Sequence, residues 1–102
     1  MHNVDISKGI QVGGFRFSVD TSESSRKHLD ADRDLGQCDF DNHTIQINNK
    51  IDSIHQSKVF IHEVIEAVNQ IYCDGEIPHP NIQRLSYGLH QVLEDLGVRF
   101  GK

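Results

Sequence analysis

The residues best suited to chemistry lie in the run Lys58-Val59-Phe60-Ile61-His62-Glu63-Val64-Ile65-Glu66-Ala67-Val68-Asn69. His62 and Glu66 stand four apart, so a helix carries both side chains on one face, one turn above the other. Withdrawing an imidazole and a carboxylate from water among Val, Ile and Phe is costly unless a cation, a hydrogen-bond partner, a proton or a metal meets them. The nearby positive residues are few: Lys58 lies one turn before His62, and Arg84 lies well downstream. A divalent metal ion answers for both groups at once, because imidazole nitrogen and carboxylate oxygen both ligate Zn²⁺. Glu63, next to the first ligand, is then placed as a general base.

The zinc motif H-E-x-x-H has this geometry, with a Glu following the first of two ligands four apart. Here Glu66 fills the second ligand position. A catalytic zinc takes three protein ligands and keeps a fourth position for water, so another donor must come from outside this helix. His79 is the candidate: it follows Gly75, where the chain doubles back, and stands at the mouth of a second helix. His90 is the alternative, since His79, Gln83, Ser86 and His90 follow one stripe of that helix. The set His62, Glu66 and His79 suits Zn²⁺, with Mn²⁺, Fe²⁺ or Ni²⁺ as other borderline choices. The plainer reading has His62 and Glu66 hydrogen-bonded to each other at the edge of the core, and His79 as no more than a helix-start residue. Tyr87 is read first as a packing residue and second as a phenol that donates to an oxyanion.

Composition narrows the classes. A chain of 102 residues is one domain with a modest core. Its net charge of −5 comes without a dense Lys/Arg cluster, which argues against a nucleic-acid surface. No apolar stretch reaches the length of a membrane span, and Met1 to Asp5 has neither the basic nor the apolar region of a signal peptide. Cys38 and Cys73 lack close metal spacing and read as free thiols of a reducing cytoplasm, with a Cys38–Cys73 bridge as the lesser alternative. His2, His28, His43 and His55 lie in polar stretches and read as solvated. Asp30, Asp32 and Asp34 lack the glycine and distal glutamate of a calcium loop and read as a solvated acidic segment.

The elements that must hold the candidate site divide near residue 55 into a polar, strand-like half and an apolar, helix-like half, which points to an α+β fold. Residues 8–19 predict a hairpin around Gly13-Gly14, and residues 20–35 either a loop or a short polar helix capped by Ser22 or Ser24. A second hairpin follows Gly36, turning at Asp41-Asn42, with Ile45 and Ile47 facing the core. Its strand Thr44–Asn48 is expected to offer an open edge on which an extended peptide pairs. A buried helix is expected from Ser57, acting as cap, to Tyr72, stopped at Asp74-Gly75. Pro80 opens the second helix, whose stripe Ile82, Leu85, Leu89, Val92, Leu93 and Leu96 is expected to pack into the core before Gly97 ends it. Residues 1–8 and 98–102 are expected as flexible flanks of a single domain, monomeric or homodimeric.

His62-Glu63-Val64-Ile65-Glu66-Ala67-Val68-Asn69, followed by Ile77-Pro78-His79-Pro80-Asn81-Ile82-Gln83-Arg84-Leu85 and by Gly88-Leu89-His90-Gln91-Val92-Leu93-Glu94-Asp95, resembles small phage-type and bacterial proteins of zincin character. The likeness covers roughly residues 9–96. It implies a minimal zincin-like domain, with the hairpins forming a small antiparallel sheet packed on two C-terminal helices. It also implies a zinc-dependent metallopeptidase: His62 and Glu66 as helix ligands, His79 as downstream ligand, Glu63 as base, and a peptide or protein as substrate. The other function class is a non-catalytic, metal-stabilised module that binds a protein partner.

Overall fold

A computed structural model describes residues 1–102 as an α+β fold of three helices and two sheets. The strands are β1 (His2–Asp5), β2 (Ile10–Val12), β3 (Phe15–Asp20), β4 (Gly36–Asp39), β5 (Thr44–Ile47) and β6 (Val98–Gly101). The helices are α1 (Glu23–Ala31), α2 (Ser53–Tyr72) and α3 (His79–Asp95).

Both expected hairpins form. β2 pairs antiparallel with β3, Val12 opposite Phe15, so Gly13-Gly14 is a two-residue loop, and Gly13 takes the positive φ (59°) that such a loop requires. β4 pairs antiparallel with β5, and Asp39 Oδ1 accepts the N–H groups of Asp41 and Asn42 to close the turn.

The sheet that joins them is not wholly antiparallel. Its order is β2-β3-β5-β4, and β3 runs parallel to β5 with Val19 opposite Ile45. The two hairpins are joined by α1, the short polar helix, capped by Ser22, whose Oγ accepts from Ser25 N–H. β4, the first strand after it, runs opposite to β3 at the sheet's edge, and the turn at Asp41-Asn42 sends β5 back between the two, parallel to β3. This insertion also corrects the edge: β5 lies between β3 and β4, and the free edge belongs to β4.

Alternation along β5 separates two layers. Ile45 and Ile47 enter the main core with Val12, Phe17, Val19, Phe60 and Ala67, on the α2 side. Gln46 points the other way, where its Nε2 donates to Ser25 Oγ on α1 at 2.8 Å.

Helix α2 begins earlier than expected. Asp52 is its cap, with Oδ1 accepting from His55 N–H at 2.9 Å. Ser57 lies inside the helix, where its buried hydroxyl accepts the Phe100 N–H at 3.0 Å. That contact is part of a second correction. The two ends of the chain are strands rather than loose flanks: β1 and β6 pair in parallel from His2–Val98 to Asp5–Gly101, and Phe100 packs on Phe60.

The third correction concerns α3. Only Ile82 and Ser86 of this helix are buried; Leu85, Leu89, Val92 and Leu96 are 45–69% exposed. The buried face carries Ile82 and Ser86, and His79 stands at its exposed N-terminal end. No helix is long and apolar enough to cross a membrane, and Cys38 and Cys73 are both free.

Gly36 fixes how closely β4 approaches α2. A Cβ there would collide with Val59 Cγ1 and lie 3.2 Å from Glu63 Oε2. Gly36→Ala is expected to destabilise the fold by about 1–3 kcal/mol through overpacking, measured by urea denaturation; an unchanged midpoint would contradict this close approach.

Candidate metal centre

His62 and Glu66 project from the middle of α2 into a cleft of about 670 Å³ between α2, α3 and edge strand β4. His79, the first residue of α3, reaches the same point. One potential ligand atom from each of the three lies within 4.8 Å of the others. His79 Nδ1 stands 3.3 Å from Glu66 Oε1, and His62 Nε2 stands 3.9 Å from that oxygen. The expected direct hydrogen bond between His62 and Glu66 is therefore not made; the two flank a shared space. His90 lies elsewhere on α3, among Glu94, Lys58 and His55, and does not join the group.

Local sequence explains why His79 arrives. α2 ends at Cys73, and Asp74 and Gly75 take positive φ (53° and 70°), which reverses the chain within a few residues. Asn69 then anchors the returning segment: its buried amide donates to Ile77 O at 3.2 Å and accepts Ile77 N–H at 3.0 Å. Pro78 and Pro80 favour the helix start that places His79 in the first turn. Asn69 was visible in the sequence as a polar residue late in an apolar helix, but nothing there identified its partner.

Ser86 was likewise not assigned a role by pattern alone. It is fully buried, and its hydroxyl donates to Gln83 O at 2.8 Å. With that proton committed, its oxygen can only accept from His62 Nδ1–H, 3.4 Å away. This long contact favours the tautomer with a free lone pair on Nε2, the atom nearest Glu66.

Glu63 points to the other side of the helix face, against Gly36, and is 7% exposed. Burial, followed by the negative charges of Glu66 and Asp34, pushes its carboxyl up to about 8. The His62 imidazole is lowered, chiefly by burial, partly offset by Glu66. Cys38, on β4 in the same cleft, has its thiol pushed up to about 12 by burial and then by Glu63 and Glu66, which makes it a poor nucleophile. Tyr87 also lines the cleft; its hydroxyl accepts from Gln83 Nε2 at 2.6 Å and its ring lies under Lys58 Nζ at 3.9 Å.

The donor set suits a zinc ion in chemistry, and its spacing comes close. A tetrahedral ion with bonds of roughly 2.0–2.1 Å needs ligand atoms about 3.3 Å apart. The His79–Glu66 separation of 3.3 Å meets this, the His62–Glu66 separation of 3.9 Å is longer, and the three ligand atoms span up to 4.8 Å, so the imidazoles must draw in by side-chain rotation to close on an ion. No family model matches the chain, and no curated protein or solved structure matches it.

The raised carboxyl of Glu63 has a thermodynamic consequence in metal-stripped protein. Between its usual range and about 8 the folded state holds a proton that the unfolded state has lost, so stability falls as pH rises. The lowered imidazoles of His62 and His90 act oppositely below their usual range near 6.5. From pH 6.5 to 8 in a chelator, unfolding free energy is expected to decline by up to about 1 kcal/mol per pH unit. Glu63→Gln is expected to remove that decline. A wild-type profile as flat as the variant's in denaturant titrations would refute the assignment.

Proposed function

We propose that this protein is a zinc-dependent hydrolase of the metallopeptidase type, with His62, Glu66 and His79 as metal ligands and Glu63 as general base. The observation that carries the reading is the convergence of two imidazoles and one carboxylate within 4.8 Å, from two helices, in an open cleft beside a second, buried carboxyl, Glu63. Two His and one carboxylate is a ligand set of catalytic zinc sites, and the likeness of the H-E-x-x-E helix to zincins points the same way.

A zinc ion bound there acidifies water and polarises a carbonyl. Within the chain, Glu66 supplies the negative charge that balances the cation, and Ser86 orients the His62 ring. Glu63 sits one residue from a ligand on the cleft wall; with a divalent cation beside it the carboxyl would be ionised and could take a proton from water and return it to a leaving amine. β4 lies across the cleft from α2 with its outer edge unpaired in the sheet, so an extended peptide that adds to this edge runs past Glu63 and His62. The metal-stabilised binding module remains the second reading, favoured by the exposed apolar face of α3.

Purified protein stripped of metal and given one equivalent of Zn²⁺ is expected to bind it and melt at a higher temperature. His62→Ala, Glu66→Ala and His79→Ala should each abolish that shift. Glu63→Gln should keep the zinc and lower peptide hydrolysis by about 10²–10⁴-fold. Zinc bound equally well by all three ligand variants would overturn the site. Stoichiometric zinc with no hydrolysis across a diverse peptide library would leave the binding module as the function.

A further inference from the structure

Helix α3 wears its apolar stripe on the outside. Leu85, Leu89, Val92 and Leu96 are 52%, 45%, 49% and 69% exposed, and none belongs to the core cluster. Their spacing is four, three, four, the seam by which one helix packs along another. From ordinary residue areas the patch exposes roughly 400 Å², at the level that marks an interaction surface on a small protein.

Gly88 stands beside this stripe. A glycine in the middle of a helix is unfavourable, and a Cβ added at Gly88 would meet nothing within 4 Å, so no packing inside the chain explains it. Close approach by a second helix would. The charges on the outward face identify that helix. Arg84 and Asp95 are exposed at opposite ends of the seam, and neither makes an ion pair within the chain. An antiparallel copy with its two-fold axis near residues 89–90 brings Arg84 of each chain to Asp95 of the other, while a parallel copy would leave Arg84 and Asp95 at opposite ends of the helix pair.

We propose that α3 is a self-association surface on which a second copy of this chain docks with its own α3 antiparallel. The paired stripes bury roughly 800 Å² of apolar area, and the polar rim brings the interface to the low end of the 1,200–2,000 Å² of specific complexes. The result is a reversible dimer that dissociates on dilution. The proposal depends on neither zinc nor catalysis.

Sedimentation velocity on the full chain from about 1 to 300 μM, a span over which a weak interface saturates, is the test. Wild type should shift from monomer to dimer. Leu89→Glu, at an exposed position that leaves the core untouched, should weaken the dimer by at least about tenfold. Arg84→Asp should also weaken it, and the double variant Arg84→Asp/Asp95→Arg should restore it. A chain that stays monomeric throughout overturns the proposal and leaves the stripe to a different protein. A dimer indifferent to Leu89→Glu places the interface elsewhere. A double variant no better than Arg84→Asp refutes the antiparallel arrangement.

Discussion

Everything in this protein is arranged around the cost of carrying ionisable groups into the packed middle of α2. His62, Glu63 and Glu66 fall within five consecutive positions of a helix whose Phe60, Ile61 and Ala67 are buried. In a low-dielectric setting such groups must be neutral, hydrogen-bonded or paired. The chain treats each differently. Glu63 is held toward its protonated form by burial and by its acidic neighbours. His62 is kept toward its neutral form and has Ser86 beside one ring nitrogen. Glu66 meets an imidazole brought from the next helix. These polar side chains line the opening between α2, α3 and β4.

The supporting architecture follows from that need. Gly36 lets β4 lie against the acid, and the Asn69 amide and the left-handed residues Asp74 and Gly75 return the chain so that His79 arrives within contact distance of Glu66. The far ends of the molecule contribute as well. β6 is tied to α2 through Ser57 and to α3 through the Arg99–Glu94 ion pair, and β1 pairs along β6. α2 is thus held from its first turn to its last.

Much of this was legible in the sequence, and the parts that were not share a cause. The four-residue spacing of His62 and Glu66 on α2, the Gly75 reversal, the approach of His79 to them and both hairpins follow from local chemistry: helical periodicity, turn residues, positive φ. The parallel β3–β5 pairing, the union of β1 with β6 and the use of Ser57 as an acceptor rather than a cap depend on partners 26 to 96 residues away, which short-range pattern does not encode. The stripe of α3 is a separate lesson. Its period showed which residues share a face, but not whether that face turns inward; Ile82 and Ser86 took the inner side, and Leu85, Leu89 and Leu96 were left outside. No open edge exists on β5 for a comparable reason: which strand ends a sheet is decided by topology, not by the strand itself.

The central claim is that His62, Glu66 and His79 close on one cation. Crystals grown with one equivalent of Zn²⁺ and measured at the zinc absorption edge test it directly. The account predicts a single strong anomalous peak in the cleft, roughly 2.0–2.2 Å from His62 Nε2, a Glu66 carboxylate oxygen and a ring nitrogen of His79. Density with all three side chains ordered and no anomalous peak among them, or with the zinc held by other residues, would contradict it.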